Sequence, residues 1–165
     1  MKKLEMAMLI GFTGAVCCAT LSQTANSLQQ LESSILRLHI LVNSDSIDDQ
    51  ALKLKVRDGV LAYTSGLLDG TEMDLGDVEC MVSAHLTDLE EVAQDIVEAC
   101  GYDYPVTVEL TEMAFEDRTY EDLVMPAGTY DTLRIAIGSA QGQNWWCVMY
   151  PALCLPQCCG CDSRR

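Results

Sequence analysis

The feature that most constrains the fold is an apolar stretch near the carboxyl end, residues 144–154, which holds both tryptophans of the chain. In a strand, successive side chains point to opposite faces. The alternation defines two apolar sets, with Trp145, Cys147 and Met149 on one face and Trp146, Val148 and Tyr150 on the other. Because both faces are apolar, we expect a strand covered on two sides. Pro151 should end it, since proline has no N–H for a ladder.

Two residues of this stretch, Cys147 and Cys154, are candidates for a disulfide. A turn after Pro151 would bring Cys154 back towards Cys147. Closing so small a loop lowers the conformational entropy of the unfolded chain, which stabilises the fold by roughly 2.5 kcal/mol. The tryptophan pair has two interpretations. Trp145 and Trp146 are typical of a core because tryptophan buries a large area, but an exposed pair would serve as an anchor for a partner.

Length and charge limit the class of protein. The chain has 165 residues, which suits one domain of ordinary size. Its 10 basic and 25 acidic residues give a net charge of −15. This balance argues against nucleic acid and against anionic lipid surfaces as partners, because phosphate binding needs clustered Lys and Arg.

The amino-terminal residues indicate export. A short basic start is followed by an uncharged apolar run from Met6 to Leu21, which is short for a membrane span and suits a secretory signal. We assign residues 1–25 to a signal peptide or an uncleaved signal anchor, and residues 26–34 to a linker. The chain has nine cysteines, and seven lie beyond this run. An odd number leaves at least one thiol free or paired between molecules.

Residues 35–42 read as a strand. A turn and a helix come after it. Alternation places Arg37 and His39 on the face opposite the aliphatic residues, which predicts a solvated or partner-facing surface for them. Ser46 is expected to cap the helix together with Asp49, in the manner of a capping box. A calcium loop is excluded because Ile47 occupies a ligand position and the required Gly and closing Glu are absent.

The rest of the chain completes an α+β pattern. The first helix is predicted to run to about Leu68, with Lys53 and Arg57 on its polar side. One second helix is predicted from Asp74 to Cys100, with His85 on its buried stripe and Gly101 at its end. Three strands follow, around 106–111, 132–138 and 145–150. We therefore predict two helices packed on one face of a mostly antiparallel sheet, in a single domain of residues 35–155.

Residues 156–165 form a cysteine-rich tail. Cys158, Cys159 and Cys161 lie too close together for the two separated pairs of a zinc site, so we assign no metal and favour extra disulfides or reactive thiols. The usual catalytic motifs are absent as well, including a nucleophile elbow, a phosphate-binding loop and the Asp-Thr-Gly signature of aspartic proteases. We therefore expect that the protein is not an enzyme and that it binds no small-molecule cofactor. The alternative is an exported thiol or redox protein that uses the tail.

Motifs within residues 36–58 and within residues 126–148 resemble the stage II sporulation protein R family. Residues 36–46, which read LRLHILVNSDS, and the following DQALK and KVRD segments are similar to its amino-terminal signature. Residues 126–130, 133–138 and 144–148 are similar to its carboxyl-terminal signature. The likeness covers roughly residues 30–155. It departs at Ala152, where the family usually has a second proline, and in the Cys158–Cys161 tail.

The resemblance implies a secreted signal and not a catalyst. Such a protein is made in the forespore and exported into the space between the two septal membranes. Its partner is a membrane-embedded sporulation aspartic protease of the mother cell, which it activates so that the precursor of sigma factor E is processed. Arg37, His39, Asn43 and Asp45 are the polar candidates for binding this partner, beside the tryptophans.

Overall fold

The computed structural model of the chain describes residues 34–68, 73–120 and 123–151, with the backbone alone at 118–120 and 123–124. The predicted signal or anchor, most of the linker, Cys154 and the cysteine-rich tail lie outside the described residues. Within them the elements follow one another in this order: β1 (Leu36–Leu41), α1 (Ile47–Leu68), α2 (Leu75–Ala84), α3 (Leu86–Ala99), β2 (Val106–Phe115), β3 (Arg118–Tyr120), β4 (Leu123–Met125), β5 (Gly128–Ile137) and β6 (Trp145–Tyr150).

The central element is a four-stranded sheet of order β2-β5-β1-β6. β1 runs parallel to β5, whereas the β1–β6 and β2–β5 pairs are antiparallel. The predicted α+β class is confirmed, but the sheet is mixed, because β1 and β5 are parallel while the other two pairs are antiparallel. β3 and β4 form a separate antiparallel pair.

The main core lies between the sheet and the helices. Aliphatic residues of β1 and β5, with Cys147 and Met149 of β6, pack against one stripe of each helix. The other sheet face carries a smaller cluster of Ile35, Phe115, Met125, Tyr130 and Val148. Both faces of β6 are thus apolar and covered, as predicted, and Pro151 follows its last residue.

Tyr150 departs from the predicted alternation in β6. Its side chain packs against the helix-side core, and its hydroxyl donates to the carbonyl of Met73. The cause is an irregularity in the ladder between Leu36 and Arg37, across which the register with β6 shifts. Such a bulge turns the residues beyond it to the other face.

The prediction of one helix between Asp74 and Cys100 is wrong, because the backbone breaks at His85. His85 has φ −111° and ψ 16°, and its N–H donates to the carbonyl of Val82, three residues back. A tightened last turn of this kind ends α2, and α3 begins anew at Leu86. Gly101 follows α3 with φ 85°, which confirms the predicted glycine at the helix end.

His85 itself is not a core residue, contrary to the prediction. Its side chain is 35% exposed and its Nδ1 lies 2.7 Å from Asp88 Oδ2. The Tyr63 hydroxyl of α1 donates to the same carboxylate at 3.0 Å. Apolar spacing continues across the break, so periodicity alone could not reveal that the helix changes direction there.

The edge strand β2 is protected by the helix beside it. The N–H of Val106 donates to Gln94 Oε1 at 3.0 Å, and the N–H of Val108 donates to Glu90 Oε2 at 3.2 Å. Both acceptors belong to α3. Side chains of a helix therefore occupy backbone donors that an edge strand would otherwise present to another chain.

Candidate functional site

The predicted partner-binding residues separate into three places in the fold. Arg37, His39 and Trp146 lie on the sheet face that turns away from the helices, where we call them, with Phe115 and Tyr130, the outer-face cluster. Trp145 lies on the helix-facing side, and Asn43 and Asp45 belong to the loop after β1. The structure therefore does not join all six into one surface.

The expectation of a solvated surface at Arg37 and His39 is wrong. Arg37 is 0% exposed and His39 3% exposed. The Arg37 guanidinium lies 3.7 Å from the centroid of the Phe115 ring and 5.2 Å from that of Tyr130, which is cation–π geometry. Alternation identified the correct face, but it could not show that aromatic residues from β2 and β5 cover it.

His39 is held as a neutral ring. Its imidazole stacks on the indole of Trp146, with centroids 3.6 Å apart and planes inclined by 5°. Burial lowers the pKa of His39 from 6.5 to about 4; the charge of Arg134 acts in the same direction, and the side chain of Asn144 acts against it. Burial disfavours the charged form of a histidine. His39 therefore contributes a flat, uncharged surface near neutral pH.

The two tryptophans are both half-buried and serve different clusters. Trp145 packs against the helix-side core, where the Arg57 guanidinium lies 4.7 Å from the centroid of its ring. Trp146 packs into the outer-face cluster. Arg57 was predicted to lie on the polar side of its helix, but it is only 9% exposed. It also pairs with Asp58 at 2.6 Å.

Asn43 and Asp45 fasten the loop after β1 to the connection between β5 and β6. Asn43 Oδ1 accepts from the backbone N–H of Ser139 at 3.0 Å, and Asn43 O accepts from the Ser139 hydroxyl at 2.8 Å. Asp45 Oδ1 accepts from the N–H of Gln143 at 2.6 Å. We call this set of contacts the loop latch. Both candidate residues thus have a structural role.

Two glycines make the loop latch possible. Gly138 has φ 64°, and a Cβ built there would lie 2.7 Å from Asn43 Oδ1. At Gly142 a Cβ would lie 2.3 Å from the carbonyl oxygen of Ser44. Side chains at either position would push the two loops apart, so these glycines belong to the same device as Asn43.

The first turn of α1 is hydrogen-bonded to the loop that carries the loop latch. Ser46 Oγ accepts from the N–H of Asp49 at 3.1 Å, which confirms the predicted cap. The reciprocal half of a capping box is not formed by Asp49, whose Oδ2 instead accepts from the Ser44 hydroxyl at 2.5 Å. Burial acts to raise the pKa of Asp49, but hydrogen bonds, first from Ser44, outweigh it and lower that pKa below its usual value.

Lys53 was missed by the sequence reasoning. It was assigned to the polar side of α1, but it is only 4% exposed and its Nζ donates to the carbonyl oxygen of Gln143 at 2.8 Å. Its position beside the buried Leu52 and Val56 was the available signal. A lysine at the margin of an apolar stripe can bury its stem while its ammonium group reaches a polar partner.

Residues that could hold a metal ion or carry thiol chemistry were sought in the part of the chain that the structure describes. There, no group of three or more His, Cys, Asp or Glu residues is arranged to hold a metal ion. Cys80 is an exposed free thiol and Cys100 a half-buried one. The Tyr63–Asp88–His85 contacts join α1 to the α2–α3 junction.

Across the residues that the structure describes, no helix combines the length and apolar character that a bilayer crossing requires.

Fold and site together define a small α+β domain with helices on one sheet face, an aromatic cluster on the other and a latch between two loops. The chain belongs to the stage II sporulation protein R family, whose model matches residues 32–159. It is 32% identical over 136 residues to stage II sporulation protein R of Bacillus subtilis (strain 168). That match covers 82% of this chain and 60% of the relative, and no solved structure matches the chain. Family membership supports a role in sporulation.

Proposed function

We propose that this chain is a secreted sporulation signal that activates a membrane-embedded aspartic protease of the mother cell. The forespore exports it into the space between the septal membranes, and the activated protease then processes the precursor of sigma factor E. The observation that carries the proposal is the family match over residues 32–159. The matched relative bears the name stage II sporulation protein R and is longer than the matched region.

Several polar residues that the sequence singled out have structural roles in the described part of the chain. The polar groups that first suggested a site are engaged in packing or in the loop latch, as Arg37, His39 and Asn43 show. These contacts tie the strands and loops of the domain together, which suits a ligand that is recognised by its folded surface. The net charge of −15 favours a partner protein over a nucleic acid or an anionic membrane.

The deciding experiment is reconstitution in a non-sporulating host. The full chain, the candidate protease and the sigma-E precursor are produced together, and precursor cleavage is followed by immunoblotting. We expect cleavage with all three components and none when the chain is omitted or when a catalytic aspartate of the protease is replaced. Equal cleavage without the chain would contradict the proposal, as would normal precursor processing in a sporulating strain that lacks the gene.

Export is tested separately. We propose that residues 1–25 carry the chain out of the forespore cytosol, either as a cleaved signal or as an uncleaved anchor that leaves it tethered. A fusion of residues 1–34 to alkaline phosphatase, which is active only after export, should give activity. A matched fusion without residues 1–25 should give none. Equal activity of the two fusions would contradict export by this segment.

The alternative, an exported thiol or redox protein, depends on the cysteine-rich tail. Replacing Cys158, Cys159 and Cys161 together with serine separates the two hypotheses in the reconstituted system. A ligand should retain its ability to trigger precursor cleavage. Loss of cleavage with a normally exported triple variant would favour thiol chemistry.

A further inference from the structure

β6 lies at a margin of the sheet, yet its centre is almost completely covered. It is the last strand in the order β2-β5-β1-β6, so among the strands that the structure describes its only neighbour is β1. Cys147, Val148 and Met149 are 5%, 4% and 3% exposed. In β2, at the opposite margin, every residue between the first and the last is half-buried or exposed. The two margins of the sheet are therefore covered to different extents.

Packing on the two sheet faces does not account for this difference. Cys147 and Met149 pack into the helix-side core, and Val148 packs into the smaller cluster on the other face. These contacts cover side chains. The backbone N–H and C=O groups of an edge strand that point away from the sheet stay open to solvent unless another segment lies beside them. A further segment of the chain along this edge accounts for the low exposure of the three residues.

Cys147 is covalently bonded to a residue outside the described part of the chain. It is a half-cystine. Cys80 and Cys100, the other cysteines of the described part, are free thiols. The chain leaves the end of β6 and soon reaches Cys154, within the apolar sequence ALCL of residues 152–155. Because this sequence starts at the end of β6 itself, it can return along the strand without a long connection.

A bond between Cys147 and Cys154 fits an antiparallel hairpin. If the two cysteines face each other, the residues between them divide equally and leave Tyr150 and Pro151 as a two-residue turn, the commonest hairpin connection. Pro151 lies in a turn. Facing Cα atoms of antiparallel strands are about 4.5–5.5 Å apart, within the roughly 4.4–6.8 Å that disulfides span. The spacing of the strands therefore suits the bond.

We propose that residues 152–155, here called the return segment, pair as a strand with the free edge of β6 and are fastened there by the Cys147–Cys154 bond. In this register Leu153 faces Val148 and extends the apolar cluster on the sheet face away from the helices. With the return segment in place, β6 cannot accept a strand from another chain. This inference is independent of the proposed function and concerns how the domain closes its second sheet edge.

The fastening makes this edge sensitive to the redox state of the surroundings. Forming the bond joins the two sulfur atoms and removes two protons and two electrons from the thiols. A disulfide of an oxidant takes them up by thiol–disulfide exchange and is itself reduced to two thiols. In a reducing compartment the return segment is held by non-covalent contacts alone, so it detaches more readily from β6.

The test is hydrogen exchange at single-residue resolution, on the full chain isolated without reductant. In an antiparallel strand, alternate N–H groups point to opposite sides. An open edge therefore gives alternating slow and fast exchange along β6, whereas a covered edge gives slow exchange throughout. We expect slow exchange at every amide of residues 146–149 in the wild type. An alternating pattern there would overturn the proposal.

Cysteine variants test the fastening. Cys154→Ser should speed exchange at alternate amides of β6 by about tenfold or more, and more than at the amides of β5, because the return segment is no longer tied down. The wild-type chain reduced with dithiothreitol should exchange in the same way. Replacing Cys158, Cys159 and Cys161 together with serine is the matched control and should leave β6 unchanged. Equal exchange in Cys154→Ser and the wild type would contradict fastening by this bond.

Non-reducing peptide mapping identifies the segment that covers the edge. A cross-link between Cys147 and Cys154 supports the return segment, and a cross-link from Cys147 to any other cysteine overturns it. Exchange that slows as the concentration of the chain rises would also overturn it, because a second copy would then be the cover. If Cys154→Ser does not fold, the exchange pattern and the cross-link of the wild type still decide the matter.

Discussion

The imidazole of His39 lies flat against the indole of Trp146, with the ring centroids 3.6 Å apart. Trp146 in turn meets Phe115 edge to face, with centroids 4.8 Å apart. A histidine at the fourth position of β1 would ordinarily suggest recognition or acid–base chemistry. Here its contacts and burial show that it stabilises the outer-face cluster.

The first prediction follows from this stack. His39→Ala should lower the free energy of unfolding by about 2–4 kcal/mol, because a buried ring is replaced by a cavity. His39→Phe keeps a flat ring against Trp146 and should cost less than about 1.5 kcal/mol. Urea unfolding of the two variants measures both values. An alanine variant as stable as the wild type would mean that the stack contributes nothing.

The second prediction concerns acid pH. The pKa of His39 is about 4 in the folded protein against 6.5 for an ordinary histidine, so the unfolded chain binds the proton more readily. Stability is therefore fully present above pH 6.5 and is lost as pH falls towards 4, by up to about 3 kcal/mol. His39→Phe lacks this titration. The free energy of unfolding of the wild type and of His39→Phe is measured between pH 4 and pH 6.5. If His39 is not involved, the difference between the two proteins should not change with pH across that window.

The third prediction has the opposite sign. Burial, with the neighbouring Asp131 carboxylate, raises the pKa of Glu79 to about 7 from 4.5. The folded state thus retains a proton that the unfolded chain releases, so stability is full below pH 4.5 and falls as pH rises through 7. Glu79→Gln should be more stable than the wild type by about 1–2 kcal/mol at pH 8, after allowing for solvent screening. At pH 4 the difference should be near zero, and a constant difference at both pH values would contradict this account.

The fourth prediction tests the loop latch through a pair of glycines. Gly142→Ala should destabilise the domain by about 2 kcal/mol or more, because its methyl group would lie 2.3 Å from the Ser44 carbonyl oxygen. Gly66→Ala, within α1 and with no atom within 4 Å of the built Cβ, should stabilise it by about 0.5–1 kcal/mol. Thermal unfolding compares them. Equal effects of the two substitutions would show that the loops do not meet as described.

The fifth prediction is the bond between Cys147 and Cys154. Cys147 is buried in the helix-side core and is bonded as a half-cystine, with Cys154 outside the described residues. Non-reducing peptide mapping by mass spectrometry should find a cross-linked peptide that contains both residues. Cys154→Ser should then cost about 2–3 kcal/mol, whereas Cys80→Ser, at an exposed free thiol, should change little. Two free thiols in the chain isolated without reductant would exclude the bond.

The strands and their faces were predictable because alternation depends only on local geometry. It placed Leu36, Leu38 and Ile40 towards the core and His39 opposite, as the structure has them. What covers each face depends on contacts between distant residues. Phe115 and Tyr130 come from strands that lie far along the chain, so the burial of Arg37 could not be inferred from its own segment.

The site was less predictable than the fold. Polar residues at a strand exit suggested a binding surface, yet Asn43 and Asp45 bond to residues almost a hundred positions later. No periodicity contains that information.

The side chains of Glu90 and Gln94 along the margin of β2 bear on how two copies of the chain behave when they meet. A second copy that approached this margin would find the amide hydrogens of Val106 and Val108 already occupied. Growth of a continuous ribbon from one molecule to the next is therefore disfavoured on that side. Even where copies of the chain are concentrated, the β2 edge therefore offers no open amide at these two positions through which they could join.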